Sequence, residues 1–142
     1  MIGFEKIVQK EFNKARERKW HRMYIAIDFH DVLFVSNYKS EITLPVSEAI
    51  PALQYLSARK DIILIVYTST SEEAYEKYKN ILKMYDVKFQ YLNSNPLEVG
   101  NEYADFSKKF YFNILLDDKA GFDWKTDWTT IMDAIKKEPL LN

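Results

Sequence analysis

Compact apolar runs and helically spaced apolar stripes alternate along the 142 residues of this chain. Residues 23–27 (MYIAI) form one run, closed by Asp28, and residues 62–67 (IILIVY) form a second, closed by Thr68. A weaker, alternating run spans 87–92, and a fourth covers 111–116 ahead of Asp117 and Asp118. The first, second and fourth are almost continuously apolar, as in parallel strands covered on both faces. Between the runs the period becomes helical. A helix over 47–59 turns Leu53 and Leu56 inward and tolerates Pro51 only in its first turn. The next carries a stripe of Ala74, Tyr75, Tyr78, Ile81, Leu82 and Tyr85, opened by a Thr70 and Glu73 capping box. A last helix over 127–137 has Trp128, Ile131, Met132 and Ile135 in register. Ahead of the first strand, Phe4, Ile7, Val8, Phe12 and Ala15 recur at helical spacing.

This order predicts an α/β fold: a three-layer, doubly wound parallel sheet with strands in the spatial order 3-2-1-4. Residues 1–22 form an extra N-terminal amphipathic helix and residues 23–142 one domain. The stretches 33–44 and 93–108 are the longest connections without a clear element, which marks them as candidates for function.

Composition narrows the field. The formal net charge is only −1, but residues 1–22 carry seven basic and three acidic side chains, so the rest of the chain is acidic. The N-terminal helix is therefore expected to pack on its own domain with its lysines solvated. An anionic partner or a second subunit, giving a homo-oligomer, is the alternative use of that face. No cysteine is present, which excludes thiol nucleophiles and thiolate metal sites. The three glycines, Gly3, Gly100 and Gly121, are too dispersed for a glycine-rich nucleotide cradle. No apolar run approaches the roughly 20 residues that span a bilayer. A cytoplasmic protein without membrane contact is expected. Trp124 and Trp128 read as core residues, and His21 as ordinary surface.

In an open parallel sheet, ligands bind beyond the carboxyl ends of the strands. Three runs here end in polar chemistry at that edge: Asp28, Thr68, and the pair Asp117 and Asp118. Carboxylates converging from two strands repel each other unless a cation lies between them. A hard divalent ion such as Mg²⁺ fits oxygen ligands and leaves positions for water and phosphate.

These segments resemble the haloacid dehalogenase-like phosphohydrolases. The family's first motif, an apolar strand followed by DxDx[TV], is similar to Asp28-Phe29-His30-Asp31-Val32. Its strand ending in Thr or Ser resembles residues 64–68, and its strand ending in two acids resembles residues 114–118. Lys109 sits at the spacing of the family's lysine in small members. The likeness covers 23–137 and is greatest to members without a cap domain. It implies a Mg²⁺-dependent phosphomonoesterase acting on a phosphorylated small molecule or macromolecule. Asp28 would be the nucleophile, Thr68 a phosphate ligand and Lys109 a neutralising cation. Asp28, Asp118 and the His30 carbonyl would hold the metal, with Asp117 nearby.

The sequence departs from the family at one place. Position 30, where the family has an acid/base aspartate, is histidine, and the following position is Asp31 rather than glycine. Histidine can shuttle protons near neutral pH. The alternative is a degenerate site that binds metal, phosphate or a partner without turnover.

Overall fold

The computed structural model describes residues 3–29, 31–34, 46–69, 71–100, 104–106 and 109–142. Four parallel strands form its sheet: β1 (Met23–Asp28), β2 (Ile62–Tyr67), β3 (Tyr91–Leu92) and β4 (Ile114–Leu116), in the order β3-β2-β1-β4. This is the expected order. The helices described are α1 (Gly3–Glu17), α2 (Ala49–Ala58), α3 (Glu72–Met84) and α4 (Asp127–Lys136). None is long and apolar enough to cross a membrane.

One face of the sheet and all four of these helices share a single core. Met23, Ile25 and Ile27 of β1 pair in register with Ile62, Leu64 and Val66 of β2, and all six join the core cluster. The helices add Val8, Phe12 and Ala15 from α1, Leu53 and Leu56 from α2, Leu82 from α3, and Trp128 and Ile131 from α4. Successive right-handed crossovers in one direction along the sheet place α2 and α3 on the same face. The helix after β4 returns to that face and packs against α1 and α2. The basic N-terminal helix is thus part of the core.

The opposite face is covered differently. Among the described residues its cover is the aromatic chain between β3 and β4, not helices. Tyr111 meets Tyr24 edge to face at 5.8 Å, and Phe110 lies 6.1 Å from Tyr67. This is where the structure departs from a doubly wound layout with helices on both sides. Ala26 and Ile65, the residues of β1 and β2 between these ring pairs, are fully buried.

Two strands are shorter than their apolar runs. Val87 N–H turns back to Leu82 O at the end of α3, and Gln90 meets Leu64 with both its backbone and its side-chain amide. Pairing as a strand therefore begins only at Tyr91. At β4, Asn113 does the same for Tyr24: its N–H donates to Tyr24 O while its Oδ1 accepts from Tyr24 N–H. Helix α3 also begins one residue later than the capping-box reading. Ser71 is its cap and accepts from Ala74 N–H at 3.3 Å, whereas Thr70 lies outside the described residues.

A buried ion pair ties the amino edge together. Arg59 Nε donates to Asp61 Oδ1 at 2.7 Å and Arg59 Nη2 to Oδ2 at 3.0 Å. Arg59 also donates to the Ile135 carbonyl at the end of α4, while Asp61 Oδ2 accepts from Leu141 N–H.

Candidate metal site at the carboxyl edge of the sheet

Strands β1 and β4 are neighbours, with Ile27 opposite Leu116, so the next residues, Asp28 and Asp117, leave the sheet side by side. The chain after β4 turns at once into a 3-10 turn, Asp118–Ala120. Asp117 caps that turn: its Oδ1 accepts from Lys119 N–H at 2.9 Å, and its carbonyl accepts from Phe122 N–H at 3.1 Å. Gly121 closes it with φ 103°, a left-handed conformation that L side chains rarely adopt. The tight reversal swings Asp118 back toward the strand ends. One carboxylate oxygen from each of Asp28, Asp117 and Asp118 lies within 4.8 Å of the others.

The electrostatics follow from this spacing. Asp28 is pushed up to about 7, first by burial and then by sharing a hydrogen bond with Asp118 and by the charges of Asp117 and Asp118. A hydrogen bond from Phe29 N–H to Asp28 Oδ1 at 2.7 Å works against that rise. Three half-buried carboxyls at this distance fit a hard cation: oxygen-only donors, partly desolvated and mutually repulsive. A divalent ion bound among them would replace the shared proton.

The turn after Asp28 is anchored from the core. Phe29 is fully buried, tilted against Phe34 at 4.9 Å and edge to face with Tyr78 at 4.7 Å. Leu33 and Phe34 N–H groups both donate to the Phe29 carbonyl. Trp128 reaches across from α4 and donates its indole N–H to the Val32 carbonyl at 2.8 Å. Asp31 has φ 58°, the left-handed conformation that the resemblance's glycine would accept most readily. His30 lies outside the described residues.

Thr68 is buried and follows Tyr67, the register partner of Asp28, so it stands at the same edge. Its backbone is held on both sides by one side chain. Asn93 Oδ1 accepts from Thr68 N–H at 2.8 Å, and Asn93 Nδ2 donates to Thr68 O at 2.7 Å. Asn93 itself has φ 51° and donates its N–H to Val66 O. In the sequence Asn93 stands only at the start of a connection. An asparagine directly after a short apolar strand is a signal for a left-handed turn, but its partner depends on β2 and β3 being adjacent.

Lys109 is exposed, and among the described residues it makes no ion pair with the three carboxylates. Its neighbour Phe110 packs tilted against Tyr67 at 6.1 Å, so the chain at Lys109 passes near the end of β2. By strand alternation Tyr67 and Asp28 lie on the same face of the sheet.

No family model matches the chain, and no curated protein sequence does. Among solved structures, the chain is similar to a conserved protein from Bacteroides thetaiotaomicron, with a TM-score of 0.64. The two are 23% identical, and the likeness covers 83% of this chain and 93% of that one. What this likeness shows is the fold: a parallel α/β sheet with helices packed on it.

Proposed function

We propose that the chain is a Mg²⁺-dependent phosphomonoesterase of the haloacid dehalogenase-like kind, without a cap domain. The observation that carries this reading is the meeting of Asp28, Asp117 and Asp118 within 4.8 Å at the carboxyl edge of a parallel sheet. Asp28 and Asp118 would hold the ion together with the carbonyl of residue 30, and Asp117 lies beside them. When bound, Mg²⁺ supplies positive charge that offsets the repulsion between the phosphate and the carboxylates.

The remaining work falls to the chain. The free oxygen of Asp28 attacks phosphorus, a P–O bond to Asp28 forms, and the bond to the leaving alkoxide or aryloxide breaks. His30 gives the leaving oxygen a proton and then takes one from the water that hydrolyses the aspartyl-phosphate. Thr68, fixed at its backbone by Asn93, donates to a phosphate oxygen. Lys109 reaches the phosphoryl group from the aromatic segment.

Turnover of an aryl phosphate with Mg²⁺ tests the reading. Wild type should release phosphate, and Asp28→Asn should lower kcat by at least about 10³-fold, as expected for loss of a nucleophile. His30→Ala should lower it by about 10² to 10⁴. A wild type no faster than Asp28→Asn across a broad panel of phosphate esters would overturn the phosphatase and leave a binding domain.

A further inference from the structure

A second cleft lies at the other end of the sheet and plays no part in the chemistry above. Its volume is about 510 Å³, and its walls include Lys19, Trp20, Arg22, Tyr24, Glu98 and Tyr111. Tyr24 is the second residue of β1 and Asn113 immediately precedes β4, so the cleft sits at the amino edge. Asp28 stands four residues after Tyr24 on β1, about 13 Å along the strand.

Two features of this cleft point to one kind of ligand. The first is charge. The Tyr24 hydroxyl donates to Glu98 at 3.2 Å and also meets the Arg22 side chain, while Lys19 and Arg22 are exposed and form no ion pair among the described residues. Positive charge continues away from the cleft through Arg18 and Lys14, whose cationic groups lie 5.3 and 5.8 Å from the Trp20 ring, to the exposed Lys10 and Lys6 of α1. The second is the set of rings. Trp20, Phe106 and Tyr111 are each half-buried at the cleft, and the Phe106 and Tyr111 rings pack tilted against each other at 5.2 Å.

We propose that this cleft and the basic stripe leading from it bind single-stranded nucleic acid. The cations follow successive phosphates and the half-buried rings receive bases, the combination by which single strands are held without reading sequence. A lone small anion would not need a stripe extending along α1. The net charge of −1 is no obstacle, because the acidic residues that balance the stripe include the cluster at the opposite edge.

Fluorescence anisotropy of a labelled oligouridylate of about 12 nucleotides, titrated with the full chain, tests the proposal. Binding should weaken steeply between about 50 and 200 mM salt. Lys19→Gln with Arg22→Gln, both exposed positions, should weaken it at least about tenfold and reduce the salt slope by about 1.4, or 0.7 for each cation removed. Trp20→Leu should weaken it at least about fivefold while leaving the slope unchanged, as loss of stacking does. Thermal melts of each variant check that it remains folded. Asp28→Asn should bind as wild type does, so phosphatase failure and nucleic-acid failure are separate results. No binding at the lower salt would overturn the proposal, as would wild-type affinity in the double Gln variant. Equal affinity for a base-free polyphosphate of the same length, or loss of binding in Asp28→Asn, would also overturn it.

Discussion

Asp28 combines partial burial with two neighbouring carboxyls, and its raised value near pH 7 would couple stability to the binding of the proposed metal. Its folded value lies above the ordinary 3.8, so its contribution to stability is fully present below 3.8 and is lost as pH rises through about 7. In chelator, wild type should therefore lose stability relative to Asp28→Asn across that window, as read by thermal melts. Mg²⁺ should reverse the loss above pH 7, adding about 2.7 kcal/mol at a hundredfold excess over its Kd, and Asp118→Ala should abolish the gain. An unchanged magnesium shift in Asp118→Ala would remove Asp118 from the ligand set. Asp31, at φ 58°, makes a different prediction. Asp31→Gly should change stability by no more than about 1 kcal/mol, because relief in the left-handed region is offset by greater freedom of the unfolded chain. Asp31→Val should be clearly worse, since β-branched residues do poorly there. Urea denaturation of the two variants checks this order.

At the scale of elements, the ends of strands do more than their middles. β3 has two residues, yet Asn93 extends its hold on β2 by taking both backbone groups of Thr68. Asn93→Ala would remove the two partly buried hydrogen bonds that hold the Thr68 backbone and put alanine at positive φ. The expected loss is about 2–3 kcal/mol by chemical denaturation. In the phosphatase reading KM should rise with it, because Thr68 is then less well held. Asn93→Asp keeps the acceptor for Thr68 N–H but sets a carboxylate oxygen against the Thr68 carbonyl, so it should not restore wild-type stability. The capping of α3 by Ser71 and the start of β4 at Ile114 have the same physical origin. Short polar side chains next to an apolar run bond to backbone and decide where the regular element begins.

For the molecule as a whole, the sheet separates two chemistries. Carboxylates gather at its carboxyl edge, while cations and rings gather at its amino edge. The core between them is held at the amino edge by Arg59 and Asp61, which link β2 to α4 and the last residues of the chain. The Asp61 side chain is 2% exposed, so Asp61→Ala would strand a buried guanidinium. It should destabilise the protein by about 3–5 kcal/mol, measured by urea denaturation. Replacing both partners by apolar residues of similar size should be far milder, because no uncompensated charge remains.

The sequence by itself determined the parts that local pattern controls. Continuous apolar runs marked β1 and β2, the helical stripes marked all four helices, and the polar residues closing three runs located Asp28, Thr68, Asp117 and Asp118 at one edge. Strand order also followed, because right-handed crossovers leave few arrangements that bring the acidic ends together. Only the tertiary structure decided how closely the carboxyls approach, because that depends on the turn at Gly121 and on the neighbouring register of β1 and β4. It alone showed that a carboxamide of Asn93 secures Thr68 and that aromatic rings, not helices, cover the second face. It also turned the charge excess of residues 1–22 into a surface feature, by burying Val8, Phe12 and Ala15 of α1 while Ile7 stays exposed, and by leaving Lys19 and Arg22 beside a ring-lined cleft. The physical reason is the same throughout. Periodicity reports which residues leave water, whereas contacts between distant segments depend on where the chain brings them together.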